Sequence, residues 1–219
     1  MNSTAIKKTL SLHFTSEIRH GIRDLSDYTD KIERYLESVK ERIEEKNKKR
    51  NRKTEEEKDD ADFIAGITSR LGYERHIEIF TKSAIISIYT YLEFFLDDFC
   101  MKIHELERKS TSPRDFPGNG IFRSRRYLDK VLFIDFVNLN PQWEKLTNLN
   151  KIRNFLVHSN GVLTTEETKV NICKTIKNIS GIKLEDDHLE VSPNYIRDIL
   201  SVIENTLTEI VRQYSKDET

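Results

Sequence analysis

Over residues 74–106 apolar side chains return at every third or fourth position. Ile77, Phe80, Ala84, Ile88, Tyr91, Phe95, Phe99 and Ile103 form one stripe, and Ile85, Leu92, Leu96 and Leu106 widen it. A period near 3.6 puts these residues on an α-helix, and a stripe this wide needs cover from more than one direction. Such a helix belongs at the centre of a bundle. A second stripe, Ile18, Ile22, Leu25, Tyr28, Ile32, Tyr35 or Leu36, Val39 and Ile43, predicts a helix from Ser16 onward. Its length is about 30 residues, or roughly 45 Å. Its other faces are charged, which suits either the outer helix of a bundle or a coiled-coil arm.

The remaining punctuation divides the chain into shorter elements. Residues 110–120 hold two of the 4 prolines and two of the 7 glycines and read as a loop. Arg123, Arg125 and Arg126 open a helix that continues through Tyr127, Leu128, Val131 and Leu132. Asn140-Pro141 begins another, carrying Trp143, Leu146, Leu149, Ile152 and Leu156, and Ser159-Asn160-Gly161 ends it. Thr164 with Glu167 predicts a capping box for a short helix bearing Val170, Cys173 and Ile176. Residues 182–191 alternate around Asp186-Asp187 as a small β-hairpin, and Ser192-Pro193 then starts the last helix. The expectation is an all-α bundle with a long N-terminal helix and that one hairpin. Residues 1–60 form a long amphipathic helix and charged linker, and residues 61–219 a helical domain.

Composition narrows the functional classes. Hydrophobic residues are 37% and charged residues 33% of the 219, too polar for a doubly wound α/β enzyme, and glycine and proline are too scarce for a turn-rich sandwich. The net charge is −1, so any grip on nucleic acid has to be local. One local block is Lys46, Lys48, Lys49, Arg50, Arg52 and Lys53, followed at once by Glu55, Glu56, Glu57, Asp59 and Asp60. This is either a solvated helix end and mobile linker, or a phosphate patch on Lys48, Lys49 and Arg50 partly cancelled by its acidic neighbour. The apolar run at 131–137 is too short to cross a bilayer, and residues 1–10 lack a signal-peptide core. Cys100 and Cys173 sit in apolar helical stretches without a CxxC and are expected to be buried thiols. A soluble, cytoplasmic protein without membrane contact is expected.

No phosphate loop, dinucleotide fingerprint, HExxH, Cys/His ligand spacing or GxSxG elbow is present, so neither cofactor nor metal is expected. One segment concentrates chemistry: Ile152-Arg153-Asn154-Phe155-Leu156-Val157-His158-Ser159-Asn160-Gly161. Asn154 and His158, four apart, share a helix face. Arg153 lies five before the histidine, about 140° round an ideal helix. An imidazole moves protons near neutrality and a guanidinium binds phosphate in bidentate fashion, so the trio suits phosphodiester chemistry. The residues also allow a structural use, with Arg153 paired to Glu93 on a neighbouring helix and His158 capping its own helix's carbonyls. Trp143 reads as core, and the other histidines as surface or boundary residues. Arg123, Arg125 and Arg126 suit backbone phosphates or a solvated helix start equally.

The segment resembles the RNxxxH form of the Rx4–6H motif of the HEPN superfamily, and Ser87-Ile88-Tyr89-Thr90-Tyr91-Leu92-Glu93-Phe94-Phe95-Leu96 is similar to the aromatic-rich core helix of those domains. The likeness covers about residues 75–214. Arg70 and His76 give a second spacing match without the asparagine or the apolar filling. The resemblance implies an all-α, HEPN-like domain over 61–219 and a metal-independent endoribonuclease of the kind found in bacterial toxins and phage defence. It implies Arg153 on the phosphate, His158 as general acid or base, and Asn154 orienting the phosphate or His158; Glu93, an acid on an apolar helix face, is a candidate for support. It further implies an RNA substrate, a homodimer with a composite active site, and an antitoxin or defence-system partner. A non-catalytic helical scaffold that binds RNA or protein is the alternative.

Overall fold

The computed structural model describes residues 3–51, 60–185 and 187–216. Two long helices, α1 (Ser3–Asn51) and α2 (Asp60–Leu106), are followed by a 3-10 turn at Pro113–Asp115 and by α3 (Gly120–Lys130). Next come α4 (Asn140–Ser159), α5 (Glu166–Ile176), strands β1 (Ile182–Glu185) and β2 (His188–Val191), and α6 (Pro193–Ser215). This is an all-α bundle with a long N-terminal helix and one small antiparallel hairpin, registered from Ile182 opposite Val191 to Glu185 opposite His188.

The core is built around α2. Its Ile85, Ile88, Leu92, Leu96, Phe99 and Ile103 are buried, and α1, α3, α4 and α6 all pack against it. Over Ile64–Leu106 this helix is also long and apolar enough, by length and composition, to cross a membrane. The apolar run at 131–137 is therefore not the chain's best spanning candidate. About half of the relevant window (56%) is buried inside the fold, so its apolar residues serve the core.

Helix α1 begins at Ser3 rather than Ser16, because Leu10 and Phe14 extend the stripe of Ile18 and Ile22 backwards and are buried with it. Phe14 meets Phe95 and Phe99 edge-on, with ring centroids 5.5 and 4.8 Å away. α1 and α2 run antiparallel: Tyr28 hydrogen-bonds Ser83 at 3.3 Å, and the Tyr91 hydroxyl donates to the Glu17 carbonyl at 3.2 Å. At its far end α1 stays helical to Asn51, into the basic block read as a solvated helix end and mobile linker. Alternating Lys and Glu are strong helix formers with favourable partners one turn away. Residues 52–59, with Arg52, Lys53 and most of the acidic block, lie outside the described residues, as does the side chain of Arg50.

α3 stops at Lys130, with Val131 as its C-cap, two residues before the expected Leu132, and Phe133 beyond it is left-handed at φ 54°. α4 ends where Ser159-Asn160-Gly161 predicted. α5 is capped by Thr165, whose hydroxyl accepts from the Thr168 amide, and not by the expected Thr164–Glu167 box. Cys100 is buried, and burial pushes its thiol up from the ordinary range. Cys173 is exposed, contrary to expectation, because the inward positions of α5 are Ile172 and Ile176.

Candidate functional site

Ile152, Phe155 and Leu156 anchor α4 in the core, which fixes the bearings of the polar residues between them. Arg153 is half-buried toward α2, with its guanidinium 5.1 Å from the centre of the Tyr89 ring. It donates to Asn154 Oδ1 at 2.9 Å, and Asn154 Nδ2 donates to Asn150 Oδ1 at 3.3 Å. Arg153 Nε is buried without a hydrogen-bond partner. The ion pair with Glu93 that a purely structural use would make is not formed among the described residues. Glu93 lies instead against the first residue of α3, where a Cβ on Gly120 would stand 2.3 Å from its Oε1 and 3.4 Å from the Tyr89 hydroxyl. Burial, reinforced by Glu93 and opposed by Arg153, pushes Tyr89 up to about 12.

His158 stands apart from this cluster. It is exposed and makes no hydrogen bond or ion pair among the described residues. The capping role is taken by others. Asn160 adopts the left-handed conformation (φ 54°, ψ 26°) with its amide on the Phe155 carbonyl, and Ser159 Oγ donates to the same oxygen at 2.6 Å. Lys82 of α2 ties this end down by donating to the Asn160 carbonyl and to Glu78. The imidazole therefore faces a groove of about 410 Å³ between α4 and α5, shared with Lys151, Phe155 and Thr168 among others. Within one chain Arg153 faces α2 and His158 faces α5.

The other predicted residues are placed as follows. Arg123 donates to Asp97 Oδ1 at 3.2 Å, and its Nε is buried and unpartnered. Arg125 lies over Phe136 and Trp143, 4.7 and 5.2 Å from their centroids, and donates to Asn140 Oδ1 at 2.7 Å. Burial lowers its pKa. Arg126 donates to the Pro117 carbonyl. All three are engaged within the fold. Lys48 and Lys49 are exposed near the end of α1. Arg70, of the second spacing match, pairs with Glu74 on its own helix at 3.0 Å. Trp143 is buried, as expected.

Residues that sequence reasoning overlooked are Tyr89, one turn before Glu93, and Lys151, seven before His158. The seven-residue spacing puts Lys151 within about 20° of the histidine on an ideal helix, and that much was available in the sequence. No group of three or more His, Cys, Asp or Glu able to hold a metal occurs among the described residues.

Fold and site together define an all-α bundle that presents, at the end of one internal helix, a guanidinium–amide pair on one side and an open imidazole on the other. No protein-family model, curated protein or solved structure matches this chain.

Proposed function

We propose that the protein is a metal-independent endoribonuclease of HEPN type. The observation that carries this reading is the state of His158: solvent-open, unpaired, and placed at the helix end by a cap that does not use it. In the proposed reaction the RNA's own 2′-oxygen attacks the adjacent phosphorus and the 5′-oxygen leaves, giving a 2′,3′-cyclic phosphate and a free 5′-hydroxyl. One imidazole takes the 2′-hydroxyl proton and another delivers a proton to the departing oxygen. Arg153 offsets charge on the non-bridging oxygens, and Asn154, hydrogen-bonded to it, holds its guanidinium.

Two imidazoles are needed and each chain supplies one from this motif, so the active unit is a homodimer. The divergence of Arg153 and His158 around α4 supports that arrangement, since one phosphate meets both groups more readily when they come from different chains. Phe94 (69% exposed) and Val157 (46%), neighbours of Glu93 and His158, offer apolar surface for a second copy to cover. The biological setting proposed is the bacterial cytoplasm, as a growth-arresting toxin or phage-defence effector held by an antitoxin or defence-system partner.

Purified protein is expected to cleave single-stranded RNA in the presence of EDTA. His158→Ala should lower the rate about 10²- to 10⁴-fold, and Arg153→Ala about 10²- to 10³-fold. Full activity in His158→Ala, or activity abolished by EDTA, overturns the reading. The alternative, a non-catalytic RNA- or protein-binding scaffold, draws on the exposed Ile64, Ile67 and Leu71 of α2. Expression in a bacterium separates the two: the nuclease arrests growth and Arg153 or His158 variants relieve it, whereas the scaffold is harmless.

A further inference from the structure

The face of α4 that carries His158 continues away from it as a line of polar residues interrupted by the buried Phe155. Lys145, Asn148, Lys151, Phe155 and His158 are spaced 3, 3, 4 and 3 apart and so share one side of the helix. From Lys145 to His158 the line runs about 20 Å. It borders one continuous depression. The His158 groove opens, through Lys151, Asn171 and Thr175, into a larger cleft of about 1000 Å³ between α4, α5 and α6.

Three lysines line this cleft: Lys145 and Lys151 from α4, and Lys174 from α5. None makes an ion pair or hydrogen bond among the described residues, whereas Lys102 pairs with Asp98 and Lys169 with Asp187. The cleft's two acids, Glu144 and Asp198, line only the larger part, so positive charge dominates toward His158. Between the lysines stand the amides of Asn148, Asn171 and Asn178, able to donate and accept at once. Tyr195, 6% exposed, lines the same cleft with a hydroxyl that has no hydrogen-bond partner among the described residues.

We propose that this α4–α5–α6 cleft is the track along which a single RNA strand approaches His158, with Lys145, Lys151 and Lys174 on successive phosphates. An acidic peptide could meet the lysines through its carboxylates and the amides through its backbone, but its charges lie on flexible side chains rather than on every backbone repeat. A nucleotide chain uses both, since its bases and ribose hydroxyls present donors and acceptors beside each phosphate. Lys151, which lines both parts of the depression, is the residue that brings the strand to the imidazole. The direction of the track rests on the proposed ribonuclease activity, whereas the existence of the site does not.

The test uses a fluorescein-labelled single-stranded RNA that is fully 2′-O-methylated, so that it binds but lacks the attacking hydroxyl. Affinity of the full chain for this probe is measured by anisotropy over a salt series. Three phosphate contacts predict a log–log salt slope of about −2, at roughly 0.7 per contact on a single strand. The triple variant Lys145→Gln, Lys151→Gln, Lys174→Gln should lose at least about tenfold in affinity and most of that slope. A triple variant of equal charge, Lys8→Gln, Lys31→Gln, Lys40→Gln, should bind as wild type does, with both checked for folding by circular dichroism. If wild type cleaves ordinary RNA while the cleft variant binds the probe as tightly as wild type does, the track is wrong and the nuclease stands. If nothing is cleaved but the cleft lysines carry probe binding, the nuclease is wrong and the track stands. Failure to bind the probe at low salt, or tighter binding of a poly-glutamate peptide of equal charge, overturns the site.

Discussion

At the scale of single residues, the environment of Arg153 is set by a glycine on a different helix. Gly120 opens α3 at φ +55°, in the left-handed region, and its missing side chain leaves the space into which Glu93 Oε1 and the Tyr89 hydroxyl extend. An added methyl meets both obstacles, an unfavourable backbone conformation and a carboxylate 2.3 Å away. Gly120→Ala is therefore expected to destabilise the fold by about 1–3 kcal/mol, read as a lower urea midpoint. Because the Tyr89 hydroxyl lies beside the same Gly120 and the Tyr89 ring underlies the Arg153 guanidinium, displacing the side chains there is also expected to weaken the proposed RNA cleavage. A variant as stable as wild type would show that the first turn of α3 yields freely. In the wild-type chain Arg153 is oriented by an aromatic face and a neighbouring amide, and the nearby carboxylate serves the start of α3 instead.

At the scale of elements, the close approach of α1 to α2 depends on Gly21. A Cβ there would fall 2.2 Å from the Tyr91 ring, whose hydroxyl is held by the Glu17 carbonyl. In an exposed helix Gly→Ala gains about 1 kcal/mol from helix propensity, but overpacking costs about 1–3 kcal/mol. Gly21→Ala should consequently melt below wild type, whereas in a Tyr91→Ala background the same change should raise the melting temperature; the same sign in both backgrounds would remove Tyr91 from the explanation. The apolar periodicity made α4, α6 and the part of α2 from residue 74 onward legible, though not the start of α2 at Asp60, and the capping residues placed the ends of α4 and the start of α6. The start of α1 was missed because polar Ser11, His13 and Thr15 flank Leu10 and Phe14 and hide the continuing stripe. Its end was missed because a charge run carries no apolar signal, while its Lys/Glu content still favours helix. In the site, the residues of the motif were legible but their company was not. Which helix faces Arg153 and which faces His158 follows from how α4 is clasped between α2 and α5, and no local pattern encodes that.

At the scale of the whole molecule, burial has been placed on groups that lose protons in alkali. Tyr89 and Tyr91 are raised to about 12 by burial together with nearby acids. Tyr127, Tyr195 and Tyr214 are pushed up too, chiefly by burial, as is the Cys100 thiol. Lys183 is raised to about 12 by hydrogen bonds to Glu185 on its own strand and to Glu190 on the strand opposite. For each of these groups the folded chain keeps its proton at a pH where the unfolded chain has released it. Stability must then fall as pH rises, beginning near the ordinary thiol and phenol values of 9.0 and 10.0 and continuing to about 12. The urea midpoint is expected to hold up to about pH 9 and to drop steeply between about pH 10 and 12. Tyr195→Phe retains the ring that packs at the start of α6 but removes one ionisable hydroxyl, so its decline should be shallower than that of wild type. An equally steep decline in that variant would trace alkaline unfolding to general charge repulsion rather than to the buried phenols.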